Sequence, residues 1–170
     1  TRDTWRTVAD NARRMASMLT ALGLKSGDRV ATLGMNHGYH LAAYYGVAGM
    51  GGVLHTLNPR LSAEHLIYIV NHAADRVLFY DALFAPMVEA LRGHWPSVEH
   101  YICFDSLDDD GMAARLAAAD PDFAWVDGDE RDPCGLCYTS GTTGNPKGVL
   151  YEHRSNVLHA LTMTQPNAFA

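Results

Sequence analysis

Long apolar runs are missing from this 170-residue sequence. No stretch approaches the ~20 consecutive apolar residues a helix needs to cross a bilayer, so no transmembrane segment is expected. Cysteine is scarce. Three thiols cannot all pair and fall far short of the disulfide density of a small secreted domain, so a reduced, cytoplasmic setting is expected. Positive charge is also in deficit: 13 Lys and Arg face 19 Asp and Glu, a formal −6 that argues against a nucleic-acid surface. No charged-then-apolar leader precedes the first helical pattern, Thr1 rather than Met comes first, and the closing HALTMTQPNAFA lies inside a continuing pattern. Those ends read as an excised piece of a larger protein. Neither an internal repeat nor a low-complexity tract is present.

Several site motifs are absent as well. A Walker A loop needs G-x-x-x-x-G-K-[ST], but counting from Gly141 puts Pro146 where the second glycine belongs. Gly148 then follows the lysine where Ser or Thr would hold magnesium, which disfavours a kinase or P-loop NTPase. The dinucleotide-binding G-x-G-x-x-G is missing. Neither DDDG nor DGDE alternates as an EF-hand calcium loop does, so a solvated acidic connection is expected there. His37 and His40 lack the glutamate of H-E-x-x-H and are expected to be structural or solvent-facing. Cys134 and Cys137 form a C-x-x-C without the second ligand pair of a zinc site. They flank a strand rather than open a helix, unlike a redox pair, and are expected to be metal-free, buried thiols.

What remains is a globular composition, 48% hydrophobic, long enough for one domain with a real core. Trp5, Val8, Ala12, Met15, Leu19 and Leu22 recur at spacings of three and four and predict one helical stripe. Gly23 suits the left-handed position after that helix, with Leu24 as the apolar contact that follows. Strands are predicted at 28–34, 51–57, 76–80 and 98–104, alternating with helices at 38–50, 63–72 (capped by Ser62) and 83–92. An alanine-rich helix at 112–119 interrupts an acidic stretch. Two further strands at 135–140 and 148–151 flank a polar loop. Strand–helix alternation across short loops predicts an α/β fold, a helix-covered and mostly parallel sheet built from βαβ units. The spacing Gly46-x-x-Gly49 predicts close helix packing. Trp95 and Trp125 are expected at core edges, with docking as another reading for Trp125. Charge is uneven: residues 105–132 hold ten acids against Arg115 and Arg131, a net of −8 that leaves the rest at +2.

The loop itself, YTSGTTGNPKGVL at 138–150, carries the chemistry. Gly141, Gly144 and Gly148 lack a Cβ, so their backbone can reach left-handed angles and approach a ligand closely. Successive N–H groups in such a turn form a nest for anions. Thr139, Ser140, Thr142 and Thr143 add hydroxyl donors, Lys147 adds a compact cation, and Pro146 stiffens the approach to it. These are the requirements of a polyphosphate. A flexible Gly/Ser/Thr linker is the competing reading, although a linker needs neither the proline nor the lysine.

The run T-S-G-T-T-G-x-P-K-G closely resembles the phosphate-loop signature of the adenylate-forming superfamily, which comprises acyl-CoA synthetases, luciferases and peptide-synthetase adenylation domains. GVAGMGGVLHTLNPRLSAEHLIYIVNHA (46–73) and DRVLFYD (75–81) are similar to the acyl-CoA ligase branch, especially ligases of medium-chain acids. The resemblance covers nearly the whole chain and is weakest after Asp105. One departure is Glu152, which stands where the family commonly has Ser or Thr. The resemblance implies a partial N-terminal domain over 1–170, with 105–133 an acidic connection within it. It also implies ATP with Mg2+ and coenzyme A as co-substrates and a carboxylic acid as the group activated. Thr139, Ser140, Gly141, Thr142, Thr143, Gly144 and Lys147 would hold the ATP phosphates.

The family's Y-G-x-T-E motif, ribose-binding aspartate and C-terminal lysine have no counterpart here, so no catalytic residue is expected in this stretch and the chain alone is expected to be inactive. Self-association is expected through Val157, Leu158, Leu161 and Met163. Two other classes stay open: another adenylate-forming enzyme, such as an amino-acid-activating domain or a luciferase-like oxygenase, and a non-catalytic module that binds a nucleotide or a partner through the acidic segment.

Overall fold

The computed structural model describes residues 2–108, 111–139 and 145–165. Helix α1 (Trp5–Ala21) opens on Thr4, whose side chain accepts from the Thr7 N–H. It ends at Gly23 (φ 87°), with Leu24 buried behind it as the C-terminal pattern predicts. Val8, Ala12, Met15 and Leu19 of the predicted stripe are buried. Trp5 departs from it at 74% exposure, because on the first turn it lines a surface cleft with Leu41 and Tyr44 instead of reaching the sheet.

Five parallel strands and one antiparallel strand form a single sheet among the described residues: β1 (Arg29–Leu33), β2 (Val53–Thr56), β3 (Val77–Tyr80), β4 (His100–Cys103), β5 (Pro133–Thr139) and β6 (Lys147–Glu152). Their spatial order is β4-β3-β1-β2-β5-β6, with β6 running against β5. The connections are α2 (Gly38–Gly49), α3 (Ala63–Ala73), α4 (Ala85–Leu91) and α5 (Met112–Ala118), and α6 (His153–Met163) follows the sheet. Alternation along the strands sorts two cores. Val30, Leu54, Val77, Phe79 and Ile102 pack under α1, α2 and α5. Ala31, Leu33 and Leu78 pack under α3 and α4 on the other face. The expected α/β architecture is therefore present, with Ser62 capping α3 through the His65 N–H.

Helices α1 and α2 meet closely because Gly46 has no side chain: a Cβ there would stand 2.7 Å from Ala12 O and 3.1 Å from Met15 Cβ. Gly49 is likewise covered, by the Trp125 ring. Trp95, expected at an edge, is instead 1% exposed within the α3/α4 core, because the chain turns it inward just before β4.

The described part of the acidic segment is strapped over α1 and α2. Arg13 donates to Phe123 O and stacks 4.8 Å above the Trp125 ring, Arg14 donates to Leu116 O and Ala119 O, and Val126 N–H donates to Gly49 O. Its carboxylates serve local turns: Asp120 accepts from Asp122 N–H, Asp129 from Arg131 N–H and Asp132 from Asp129 N–H. Glu130 O and Asp132 O then receive the first N–H groups of α6, where Glu152 makes no side-chain cap. Asp109 and Asp110 lie outside the described residues. No described helix is long and apolar enough to cross a membrane.

Candidate functional site

Strands β5 and β6 form an antiparallel hairpin whose register pairs Tyr138 with Gly148 and Thr139 with Lys147. Because β5 runs parallel to β2, the turn of this hairpin projects from the carboxyl edge of the parallel strands, the edge where open α/β sheets bind ligands. The polar loop thus joins two strands, as its flanking pattern predicts, and does not open a helix. Thr139 and Lys147 are exposed at its two ends, and Pro146 is buried beside the lysine. No ion pair to Lys147 occurs among the described residues. Ser140, Gly141, Thr142, Thr143 and Gly144 lie outside the described residues.

Gly148 has a different reason from the one its sequence context suggests. The positive-φ glycines of the described residues are Gly23, Gly27 and Gly51. At Gly148 a Cβ would meet Tyr138 Cζ at 3.1 Å and Leu136 Cδ1 at 3.3 Å, so glycine there makes room for the Tyr138 ring across the hairpin.

Beneath this hairpin lies a polar group that sequence reasoning missed. His55 on β2 holds Asp75, just past α3, at 2.7 Å through Nδ1, and both side chains are 0% exposed. His55 Nε2 and Asp75 Oδ1 find no partner among the described residues. Burial pushes the Asp75 carboxyl up, opposed by its hydrogen bond and charge interaction with His55. The His55 ring lies 5.1 Å from the Tyr138 ring, and the Tyr138 hydroxyl and His72 Nδ1 are hydrogen-bonded at 2.6 Å. Burial, aided by the charge of Asp75, pushes the Tyr138 phenol up to about 12, so it remains an O–H donor at neutral pH. Tyr68 stacks on His72 at 5.3 Å. The usable signal was His55 itself, a titratable residue within the largely apolar VLHTL run.

The other candidate groups are held by internal bonds. His40 bonds Met35 O at 2.9 Å and Thr32 Oγ1 at 3.0 Å, and burial keeps it below the ordinary histidine value. His37 bonds Asp81 at 2.9 Å, and Asp81 also accepts from Met35 N–H. Clefts of about 460 and 590 Å3 open beside them, lined by Trp5, His40 and Tyr44 and by Asp3, Asp81 and Asp105 respectively. Cys134 is buried and accepts from Asn156, whereas Cys137, expected to be buried, is half-buried beside Thr56, at the more open end of β5.

Comparison with known proteins fits this geometry. A family model described as "AMP-binding enzyme" matches residues 1–169. The 3-methylmercaptopropionyl-CoA ligase of Ruegeria pomeroyi is 54% identical over 92% of this chain and 31% of its own length. The medium-chain-fatty-acid–CoA ligase of Ectopseudomonas oleovorans is 42% identical over 98% of this chain and 32% of its own. The inhibitor-bound N-terminal domain of FACL13 from Mycobacterium tuberculosis superimposes with a TM-score of 0.81 at 36% identity, covering 90% of this chain and 38% of that one. The chain spans about a third of the length of the curated relatives it matches. With its parallel sheet, its edge hairpin and its full-length family match, the chain belongs to the AMP-binding enzymes.

Proposed function

We propose that this chain is the N-terminal part of an ATP-dependent acid–thiol ligase. It activates a carboxylic acid as an acyl-adenylate and passes the acyl group to coenzyme A. The observation that carries this reading is the register that sets Thr139 opposite Lys147 at the carboxyl edge of the sheet, with the run T-S-G-T-T-G-x-P-K-G between and around them. In the first step the carboxylate oxygen attacks the α-phosphorus of ATP and pyrophosphate leaves. In the second, the thiol of coenzyme A attacks the acyl carbonyl, its proton is lost, and AMP departs.

Thr139, Ser140, Gly141, Thr142, Thr143, Gly144 and Lys147 hold the β- and γ-phosphates. They orient the leaving group in line and offset its growing charge. ATP arrives as its magnesium complex, a substrate whose metal is carried by phosphate oxygens. The relatives named above act on a methylthio-substituted short acid and on medium-chain fatty acids, so an aliphatic acid is the substrate class proposed, within fatty-acid metabolism. The setting is cytoplasmic. Residues 105–133 form an acidic connection within the partial N-terminal domain, the chain alone is inactive, and the exposed Val157, Leu158, Leu161 and Met163 favour self-association when nothing covers them.

The test uses the full-length protein. Lys147→Ala should slow acid-dependent ATP–pyrophosphate exchange by roughly 10²–10³ through loss of a charge-assisted contact. Gly144→Val should be worse, because a β-branched side chain blocks close backbone approach. Thioester formation from supplied acyl-adenylate and coenzyme A should be largely spared in both. Equal loss in the two assays would refute the phosphate-holding role.

A further inference from the structure

Asp75 and His55 are hard to justify as core. Two titratable side chains buried together are costly, and an apolar pair in their place would orphan neither His55 Nε2 nor Asp75 Oδ1. What the pair touches is informative. Its neighbour across β2 and β5 is Tyr138, whose ring is confined on three sides: by the His55 ring, by the backbone of Gly148, and by the hydrogen bond to His72. Tyr138 directly precedes Thr139, and its cross-strand partner Gly148 directly follows Lys147. A shift of this ring therefore displaces both described ends of the hairpin together.

We propose that Asp75, His55, His72 and Tyr138 form a positioning network for the adenylation step, fixing the Tyr138 ring against Gly148 so that Thr139 and Lys147 are held ready for the leaving pyrophosphate. This rests on the phosphate-holding reading of the hairpin. The four residues act through β5 and β6 and touch no reacting atom. His55, packed against Asp75 at 2.7 Å, supplies a rigid wall, and the Tyr138–His72 bond at 2.6 Å sets the ring's angle. Tyr68 stacked on His72 keeps that ring in place.

In the full-length protein, Tyr138→Phe and His72→Leu each remove the bond while leaving the ring or its surroundings filled. Each should raise the KM for MgATP and lower pyrophosphate exchange by about three- to ten-fold, the worth of one hydrogen bond. Thioester formation from supplied acyl-adenylate and the melting temperature should stay as in the parent. Combining the two should cost no more than either alone, since they break the same bond. His72→Asn, whose Oδ1 can accept near the place of Nδ1, should restore exchange to within about two-fold. His55→Leu should follow Tyr138→Phe; if it fails to fold, the Tyr138 and His72 variants decide.

Unchanged exchange in folded Tyr138→Phe and His72→Leu, or equal loss in both half-reactions, would overturn the network. Lys147→Ala measured alongside separates the two levels. If it impairs exchange while the network variants do not, the network alone fails. If it too leaves exchange unchanged, the phosphate reading falls with it.

Discussion

Gly46→Ala tests whether α1 and α2 are pressed together as tightly as the geometry says. In an isolated helix the substitution would help by about 1 kcal/mol, since alanine loses less backbone entropy than glycine. Here the new methyl would stand 2.7 Å from Ala12 O, a backbone atom that no rotamer change can move, and 3.1 Å from Met15 Cβ. The helices must separate. Overpacking of this kind costs about 1–3 kcal/mol, so from the middle of that range the net effect is a loss of about 1 kcal/mol. Hydrogen exchange followed by mass spectrometry on the full-length protein reads this locally. Amide protection in peptides covering 5–21 and 38–49 should fall about five-fold, because about 1.4 kcal/mol is a factor of ten.

Two controls bracket the result. Gly93→Ala meets nothing within 4 Å among the described residues and should leave protection unchanged or raised. Gly49→Ala meets the Trp125 ring, a half-exposed side chain that can swing outward, so it should loosen 120–126 more than α1. Equal or greater protection of α1 and α2 in Gly46→Ala would refute the close-packing argument.

Two further predictions concern buried groups. His40, held by burial below its ordinary value of 6.5 despite the bond to Met35 O, is favoured neutral in the fold. Its contribution is complete above that pH and is lost as pH falls from 6.5 through the folded value, so the melting temperature should drop on acidification to pH ~5.5 more steeply in the parent than in His40→Gln. Equal slopes would refute it. Trp95 is 1% exposed, and its indole N–H is unpartnered among the described residues, so Trp95→Phe removes an unsatisfied donor and should cost far less than the ~3–5 kcal/mol of Trp95→Ala in urea titration. Similar losses for the two would contradict the packing described.

Legibility in the sequence followed the range of each interaction. The α1 stripe from Val8 to Leu19, the left-handed Gly23 and the Ser62 cap are local matters of spacing and hydrogen bonding, and each occurs where its pattern predicts. The hairpin was legible too, because glycine, proline and threonine between two apolar runs leave the chain few alternatives. Strand order was not. Nothing local says that the chain leaves β4 at one edge and crosses the sheet to place β5 beside β2. The same crossing brings Tyr138 over His55 and under His72, residues that lie 66 positions from Tyr138 in the case of His72. Gly148 was assigned the wrong cause for the same reason: its neighbour Tyr138 is ten residues back, and only the register reveals that the missing Cβ makes room for a ring.

The carboxyl edge of the sheet carries two polar groupings, and their hydrogen-bond saturation tells them apart. At β1 and β3 the acceptors are already used: Asp81 takes Met35 N–H and His37 Nε2–H, and His40 is bound at both ring nitrogens, to Met35 O and Thr32 Oγ1. A ligand arriving there would have to displace bonds that hold the turn after β1 in place. At the hairpin the balance is reversed. The exposed cation Lys147 stands free of ion pairs among the described residues. That contrast, rather than the number of histidines, is what supports the phosphate role proposed for the β5–β6 turn.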